Sequence, residues 1–184
     1  MTETPSLTPA AGPAAVATVT VGFLSVVTDA SGVYGGYLLT NAWGRPLEFR
    51  LSTAVQPNRV QQILYGPTLA EYLHADLIGK TLVEKAVAAP GLIVADSLAA
   101  LGLWDRIGVM TVSVAPADGP TVRSLGTARS PVPLAYPAKH AGELSALTAR
   151  LEQLDPAVDL SEPFARIREA MAEARKQGGA NRAA

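Results

Sequence analysis

Val19-Thr20-Val21-Gly22-Phe23-Leu24-Ser25-Val26-Val27-Thr28-Asp29-Ala30-Ser31-Gly32 is the stretch from which the fold can be read. Val19, Val21 and Phe23 alternate with small or polar residues, and Val26-Val27 continues the apolar run. This period of two predicts a half-buried strand over Thr18–Thr28. Asp29-Ala30-Ser31-Gly32 reads as a turn in which the aspartate bonds nearby backbone. Further on, Val33–Asn41 is a second strand, and its Gly35-Gly36 pair predicts a bulge or a close backbone approach. After a turn at Ala42–Pro46, Leu47–Val55 alternates again. Leu47, Phe49, Leu51, Thr53 and Val55 are expected inward, with Glu48, Arg50 and Ser52 outward. The three strands form an antiparallel meander.

Helical periodicity follows. Pro57 suits the first turn of a helix and Gly66 its stop. Thr68-Leu69-Ala70-Glu71 has the form of a capping box. Leu69, Leu73, Leu77, Ile78 and Leu82 predict the core stripe of a helix that runs to about Ala88. Leu92-Ile93-Val94-Ala95 is short and wholly apolar, as a strand covered on both faces must be. Ser97–Leu101 predicts a helical turn and Ile107–Val114 another buried strand. Between Ala115 and Pro137 lie five prolines, which predict a long loop or arm. Two helices, about Ala141–Leu154 and Glu162–Lys176, form a carboxyl-terminal extension. The expected class is α/β, with a core over 16–114 and disordered tails at 1–15 and 178–184.

Composition narrows the chemistry. Hydrophobic residues make up 48% of the 184 positions, enough for a core, and aromatics only 5%. There is no cysteine, so disulfides, thiolate catalysis and cysteine-ligated zinc are excluded; His74 and His140 are too few for a histidine-rich metal site. A formal net charge of -1 offers no general attraction to nucleic acid, which is set aside as a partner without a local basic patch. No apolar run approaches the roughly 18 residues of a membrane span. The amino-terminal stretch lacks the form of a signal peptide, and the default expectation is a cytoplasmic protein of bacterial type. The glycines match no phosphate-loop or dinucleotide pattern, so no cofactor is expected.

The ordered strings Val27-Thr28-Asp29-Ala30-Ser31-Gly32, Tyr34-Gly35-Gly36-Tyr37, Asn58-Arg59-Val60-Gln61 and Val94-Ala95-Asp96-Ser97 resemble signatures of the ribonuclease H superfamily. They span residues 20–101, about half the chain. The resemblance implies a mixed sheet led by the meander. It also implies a two-magnesium site in which clustered carboxylates activate water, with Asp29 and Asp96 as ligands. Gln61 stands where that family carries a glutamate, and a neutral amide does not supply the charge that holds a hard cation. Asp105 and Asp118 are other available acids. The block from Gly35 to Gly66 also resembles bacterial proteins of unassigned function, which adds no chemistry.

Each acid has an ordinary structural role beside the catalytic one: Asp29 as a turn residue, Asp96 as a helix N-cap. Asn58 and Arg59 suit capping a helix and pairing with Glu48 or Asp76. His74 reads as structural, since no nucleophile motif accompanies it. The first functional reading is therefore a non-enzymatic protein-binding or adaptor domain on a ribonuclease H-like scaffold, with a protein partner or self-association. Its interaction residues would be Trp43, Arg45, Asn58 and Arg59, with Phe164, Ile167 and Met171 on an amphipathic last helix. The prolines of Ser130–Pro137 suit extended packing against a partner. The alternative is a magnesium-dependent nuclease or phosphoryl-transfer enzyme using Asp29 and Asp96.

Overall fold

A computed structural model describes residues 19–180. The expected disorder of residues 1–15 therefore falls outside the described part of the chain. The elements are β1 (Val21–Asp29), β2 (Gly32–Thr40), β3 (Pro46–Leu51) and α1 (Arg59–Tyr65), followed by a long helical run, α2, built from Gly66–Thr68, Leu69–Glu71, Tyr72–Gly79 and Lys80–Glu84. Then come β4 (Leu92–Ala95), α3 (Leu98–Gly102 continued by Leu103–Ile107), β5 (Thr111–Ser113), β6 (Val122–Leu125) and β7 (Leu134–Pro137). Two helices close the chain: α4 (Ala138–Glu143 continued by Leu144–Glu152) and α5 (Pro163–Ala180). The last extends beyond its expected end, since Gly178 and Gly179 do not stop it.

The seven strands form one mixed sheet in the order β3-β2-β1-β4-β5-β7-β6. β1 pairs antiparallel with β2 and parallel with β4, and β4 pairs parallel with β5. The α/β class is as the sequence predicts. Helices cover both faces. Leu73, Ala75, Ile78 and Leu82 of α2 pack with Leu103 of α3 against Leu24, Tyr37, Leu39 and Ile93. On the other face Leu147 and Leu151 of α4 and Phe164, Ile167 and Met171 of α5 pack against Phe23, Leu38, Val94 and Val112.

The adjacent glycines of β2 serve both interfaces, because successive residues of a strand face opposite sides. A Cβ at Gly35 would stand 2.6 Å from Ile78, and one at Gly36 2.5 Å from Met171 Sδ. Of the two expectations for this pair, close approach is the one observed; the register shift of β2 lies at Leu39/Thr40 instead.

Several boundaries differ from the sequence reading for identifiable reasons. Thr68 does not cap through its side chain; its hydroxyl donates to the carbonyl of Tyr65, 2.8 Å away, and Glu71 pairs with Arg106. Tyr72–Gly79 is a π-helix, whose five-residue hydrogen-bond step puts Leu73 and Ile78 on the same buried side. Leu47 and Phe49 were expected inward, yet they are 52% and 38% exposed. Phe49 has the predicted facing, opposite Leu38, but α5 lies over β1 and β2 and leaves the edge strand β3 uncovered. The strand stops at Leu51, Thr53 is exposed, and Val55 packs against the core on the α2 side. The proline-rich segment is no free arm: it returns to the sheet as β6 and β7, with Leu134, Ala135 and Tyr136 buried. No helix among the described residues is long and apolar enough to cross a membrane.

Candidate functional site

The chain leaves β1 toward β2 on one side, while β4 enters on the other. The carboxyl ends of β1 and β4 therefore flank a switch point, the place where open α/β sheets bind ligands. Leu24 is paired with Ala95, which brings the next residues, Ser25 and Asp96, abreast. Asp96 Oδ2 accepts the Ser25 hydroxyl at 2.5 Å, Oδ1 faces the Val26 N–H at 3.4 Å, and Arg168 Nη2 of α5 stands 3.4 Å from Oδ2. Ser25 is wholly buried, so Asp96 is the group that satisfies its hydroxyl.

The N-cap role expected of Asp96 falls to its neighbour. Ser97 has extended backbone and its Oγ accepts the Ala99 N–H at 3.2 Å. The same Oγ lies 3.0 Å from Nδ1 of His74. Burial depresses the His74 pKa, against the opposing pull of the Asp96 charge. The ring and the Ser97 hydroxyl share a hydrogen bond at Nδ1, so His74 braces the turn after β4. The sequence reading found no partner for this histidine because Ser97 is 23 residues away.

Asp29 sits at the far end of β1, four residues past Ser25, or roughly 13 Å along the strand at 3.3 Å per residue. Its turn role is realised: Oδ1 accepts the Ser31 N–H at 2.7 Å and the Ser31 hydroxyl at 2.5 Å. Tyr34 Oη donates to Oδ2 at 3.0 Å, and Arg175 Nη1 lies 3.0 Å from the same oxygen. Arg175 also covers the Tyr34 ring, 4.0 Å from its centroid, and bonds Ser31. The Ser31 hydroxyl and N–H hold the Asp29 carboxyl below its ordinary range, with lesser help from Tyr34 and Arg175, against an opposing effect of burial.

The two carboxylates are thus on the same face of β1 and β4, and each is engaged by an arginine of one helix. Arg168 and Arg175 are seven residues apart, two turns of α5, which presents both to the sheet. That spacing is present in the sequence but has meaning only once α5 is seen to run along β1.

Gln61 is distant from this site in function as well as sequence. Asn58 Oδ1 accepts the Gln61 N–H at 2.9 Å and Gln61 Oε1 accepts the Asn58 N–H at 2.9 Å, a reciprocal capping box that starts α1. Asn58 is therefore a cap. Neither Asn58 nor Arg59 pairs with Glu48 or Asp76, whose partners are Arg50 and Arg106. None of the residues of α1 is buried, and Val60, Ile63 and Leu64 are 63%, 65% and 78% exposed.

Of the other interaction residues named from sequence, Trp43 is exposed in its turn, as is Arg45. Phe164, Ile167 and Met171 are each at most 2% exposed, so they are core residues and not a docking face. Phe164 meets Phe23 edge-on, ring centroids 5.9 Å apart.

A two-metal site does not fit these residues. Asp29 and Asp96 are separated along β1, both are salt-bridged, and among the described residues no three acids or histidines are grouped to hold a metal ion. Asp105 is taken by Lys139 and His140. A cleft of about 470 Å³ lies between α3 and the β6–β7 hairpin and is lined by Glu71, Leu101, Asp105, Val122, Pro137 and Lys139. Its acids are neutralised too, Glu71 by Arg106 at 2.8 Å.

No known protein family matches the chain, and no curated protein does. Among solved structures, endonuclease V of Ciona intestinalis, in complex with a 23mer DNA containing an inosine followed by a ribo-adenosine, is similar at 9% identity. The likeness covers 87% of this chain and 88% of that one, with a TM-score of 0.45. Net charge led to nucleic acid being set aside as a partner of this chain, whereas that similar structure is of a protein bound to DNA.

Proposed function

We propose that this protein is a non-enzymatic, protein-binding domain on a ribonuclease H-like scaffold, in which α1 is the binding element. The observation that carries this reading is α1 itself: a helix closed by its own capping box, with Val60, Ile63 and Leu64 at i, i+3 and i+4, and no buried residue. That apolar stripe has the spacing of a helix that lies in a groove of another protein. Arg59 stands beside it on α1, while Trp43 and Arg45 are exposed separately in the β2–β3 turn. The acids that metal chemistry would need serve instead to fasten α5.

A second reading is a nuclease centred on Asp96, and one observation favours it: this largely buried carboxylate stands at the switch point between β1 and β4. One experiment separates the two. DNA and RNA cleavage is measured with magnesium or manganese for the native protein and for Asp96→Asn. The binding reading expects no metal-dependent cleavage; cleavage abolished by Asp96→Asn overturns it. Affinity capture with native protein and with Ile63→Asp then tests α1. Ile63 is exposed, so the variant keeps its fold, and a partner retained equally by both would remove α1 from the role.

A further inference from the structure

β3 is the outer strand of the sheet, and it reads Pro46-Leu47-Glu48-Phe49-Arg50-Leu51, with a register shift against β2 between Pro46 and Glu48. Ser52 donates its N–H to Gly35 at 2.9 Å, and peptide groups alternate in direction along a strand. Phe49 and Leu51 therefore turn their N–H and C=O groups away from β2, toward open solvent. Edge strands of native proteins are normally blunted by lysine, proline or a cover. Here the proline and the register shift are confined to the start of the strand, at Pro46 and Leu47, and on the charged face Glu48 accepts the Val87 N–H at 2.7 Å. From Glu48 to Leu51 the strand has neither lysine nor proline, and Leu47 and Phe49 are exposed beside the edge.

The segment is self-complementary about its centre. A two-fold axis through Phe49 sets two β3 strands antiparallel, with Phe49 opposite its own copy. Glu48 then faces Arg50 of the second copy, and Leu47, at the register shift of β3, lies nearest Leu51, each pairing occurring twice. Phe49 and Leu51 are the residues whose backbone groups point outward, so the axis passes through a hydrogen-bonded pair, as an antiparallel ladder requires. The charges fall on the opposite face from the apolar side chains, where Glu48 and Arg50 already pair within one chain. No other centre within the strand aligns both the charges and the apolar residues.

We propose that β3 is the interface of a symmetric homodimer, in which the sheets of two copies join edge to edge through Phe49. The interface is independent of α1, and its variants leave Val60, Ile63 and Leu64 untouched, so failure of one role is distinguishable from failure of the other.

The full chain is measured by sedimentation equilibrium over a wide concentration range, with circular dichroism to confirm folding of each variant. The native protein is expected to dimerise. Arg50→Glu places like charges opposite each other twice and should weaken association roughly tenfold; adding Glu48→Arg restores complementarity and should recover it. A monomer at every concentration overturns the proposal, whether or not another protein takes the edge. So does a dimer indifferent to these exchanges. Phe49→Cys gives a test independent of charge, because the chain has no native cysteine. Hydrogen-bonded partners across an antiparallel ladder lie about 5.5 Å apart at Cα, within reach of a disulfide. Mild oxidation should therefore convert that variant to a covalent dimer. A folded variant that dimerises without cross-linking assigns the interface elsewhere and overturns it.

Discussion

Met171 lies against Gly36 so closely that a Cβ at position 36 would stand 2.5 Å from its sulfur. Ile167 is nearly as near, at 2.8 Å, and both side chains are buried. Gly36→Ala is therefore expected to destabilise the protein by about 1–3 kcal/mol through overpacking, despite alanine's lower backbone entropy cost. Met171→Ala alone should cost about 2–5 kcal/mol by leaving a cavity. In the double variant the new methyl enters space vacated by Met171, so its cost should be less than the sum. Denaturant unfolding of the four proteins measures this; strict additivity would show that the two residues do not press on each other.

Removing α5 should abolish the fold. A sequence reading treats Glu162–Ala184 as an appendage that can be deleted from an intact core. The structure places Phe164, Ile167 and Met171 in that core, against Phe23 and Leu38. Truncation after Ser161 is expected to remove cooperative thermal unfolding, whereas Arg166→Ala on the outer face should leave it in place.

Asp96 holds the buried Ser25 hydroxyl, so Asp96→Ala should cost about 1–3 kcal/mol, the desolvation penalty of an orphaned polar group. Ser25→Ala in the same background should recover part of the loss, because no hydroxyl then remains to satisfy. A double-mutant cycle checks this, and independent effects would exclude the bond as the cause.

Stability should decline in two stages on acidification. His74 has a folded pKa below its ordinary value of 6.5, so the unfolded chain binds its proton first. Its contribution is intact above 6.5 and is lost as pH falls through the lower folded value. Asp29, Asp105 and Asp159 are also depressed, each by hydrogen bonds or charges at its carboxyl, and their contributions are lost further down, below the ordinary 3.8. His74→Asn should flatten the upper stage and leave the lower one. Chemical denaturation between about pH 7 and pH 3 follows both.

Arg175→Ala should raise the Asp29 pKa only part of the way to 3.8, because the Ser31 bonds contribute more than the arginine charge. Ser31→Ala should raise it further. Carboxyl chemical shifts measured across pH by NMR order the two effects, and the reverse order would show that the ion pair dominates.

The strands were legible where one strand's own pattern decides its burial. β1 alternates and β4 is continuously apolar, and both lie where those patterns predict. Phe49 of β3 has the expected facing but not the expected burial, because the helix that covers this face, α5, comes more than a hundred residues later and lies over β1 and β2. The candidate site was half legible. Asp29 as a turn residue is a local matter, readable from Ser31 and Gly32. Asp96 was misread as a cap because its partners Ser25 and Arg168 lie 71 and 72 residues away, and only the β1–β4 pairing brings them together. Asn58 and Gln61 show the opposite fault. Their three-residue spacing is a complete local instruction for starting a helix, and a comparison with metal-binding proteins obscured it.

Arg168 and Arg175 also settle which way α5 points. Phe164 meets Phe23, Arg168 meets Asp96 and Arg175 meets Asp29, so the helix ascends β1 in the strand's own direction. An inverted helix would still offer an apolar stripe to Phe23 and Leu38, because packing alone discriminates poorly between the two senses. It would, however, leave the carboxylates facing Phe164 and Ile167 in place of guanidinium groups. The acids of β1 and β4 thus stand in the same order as the arginines of α5, a charge pattern that favours this sense of docking over the reverse.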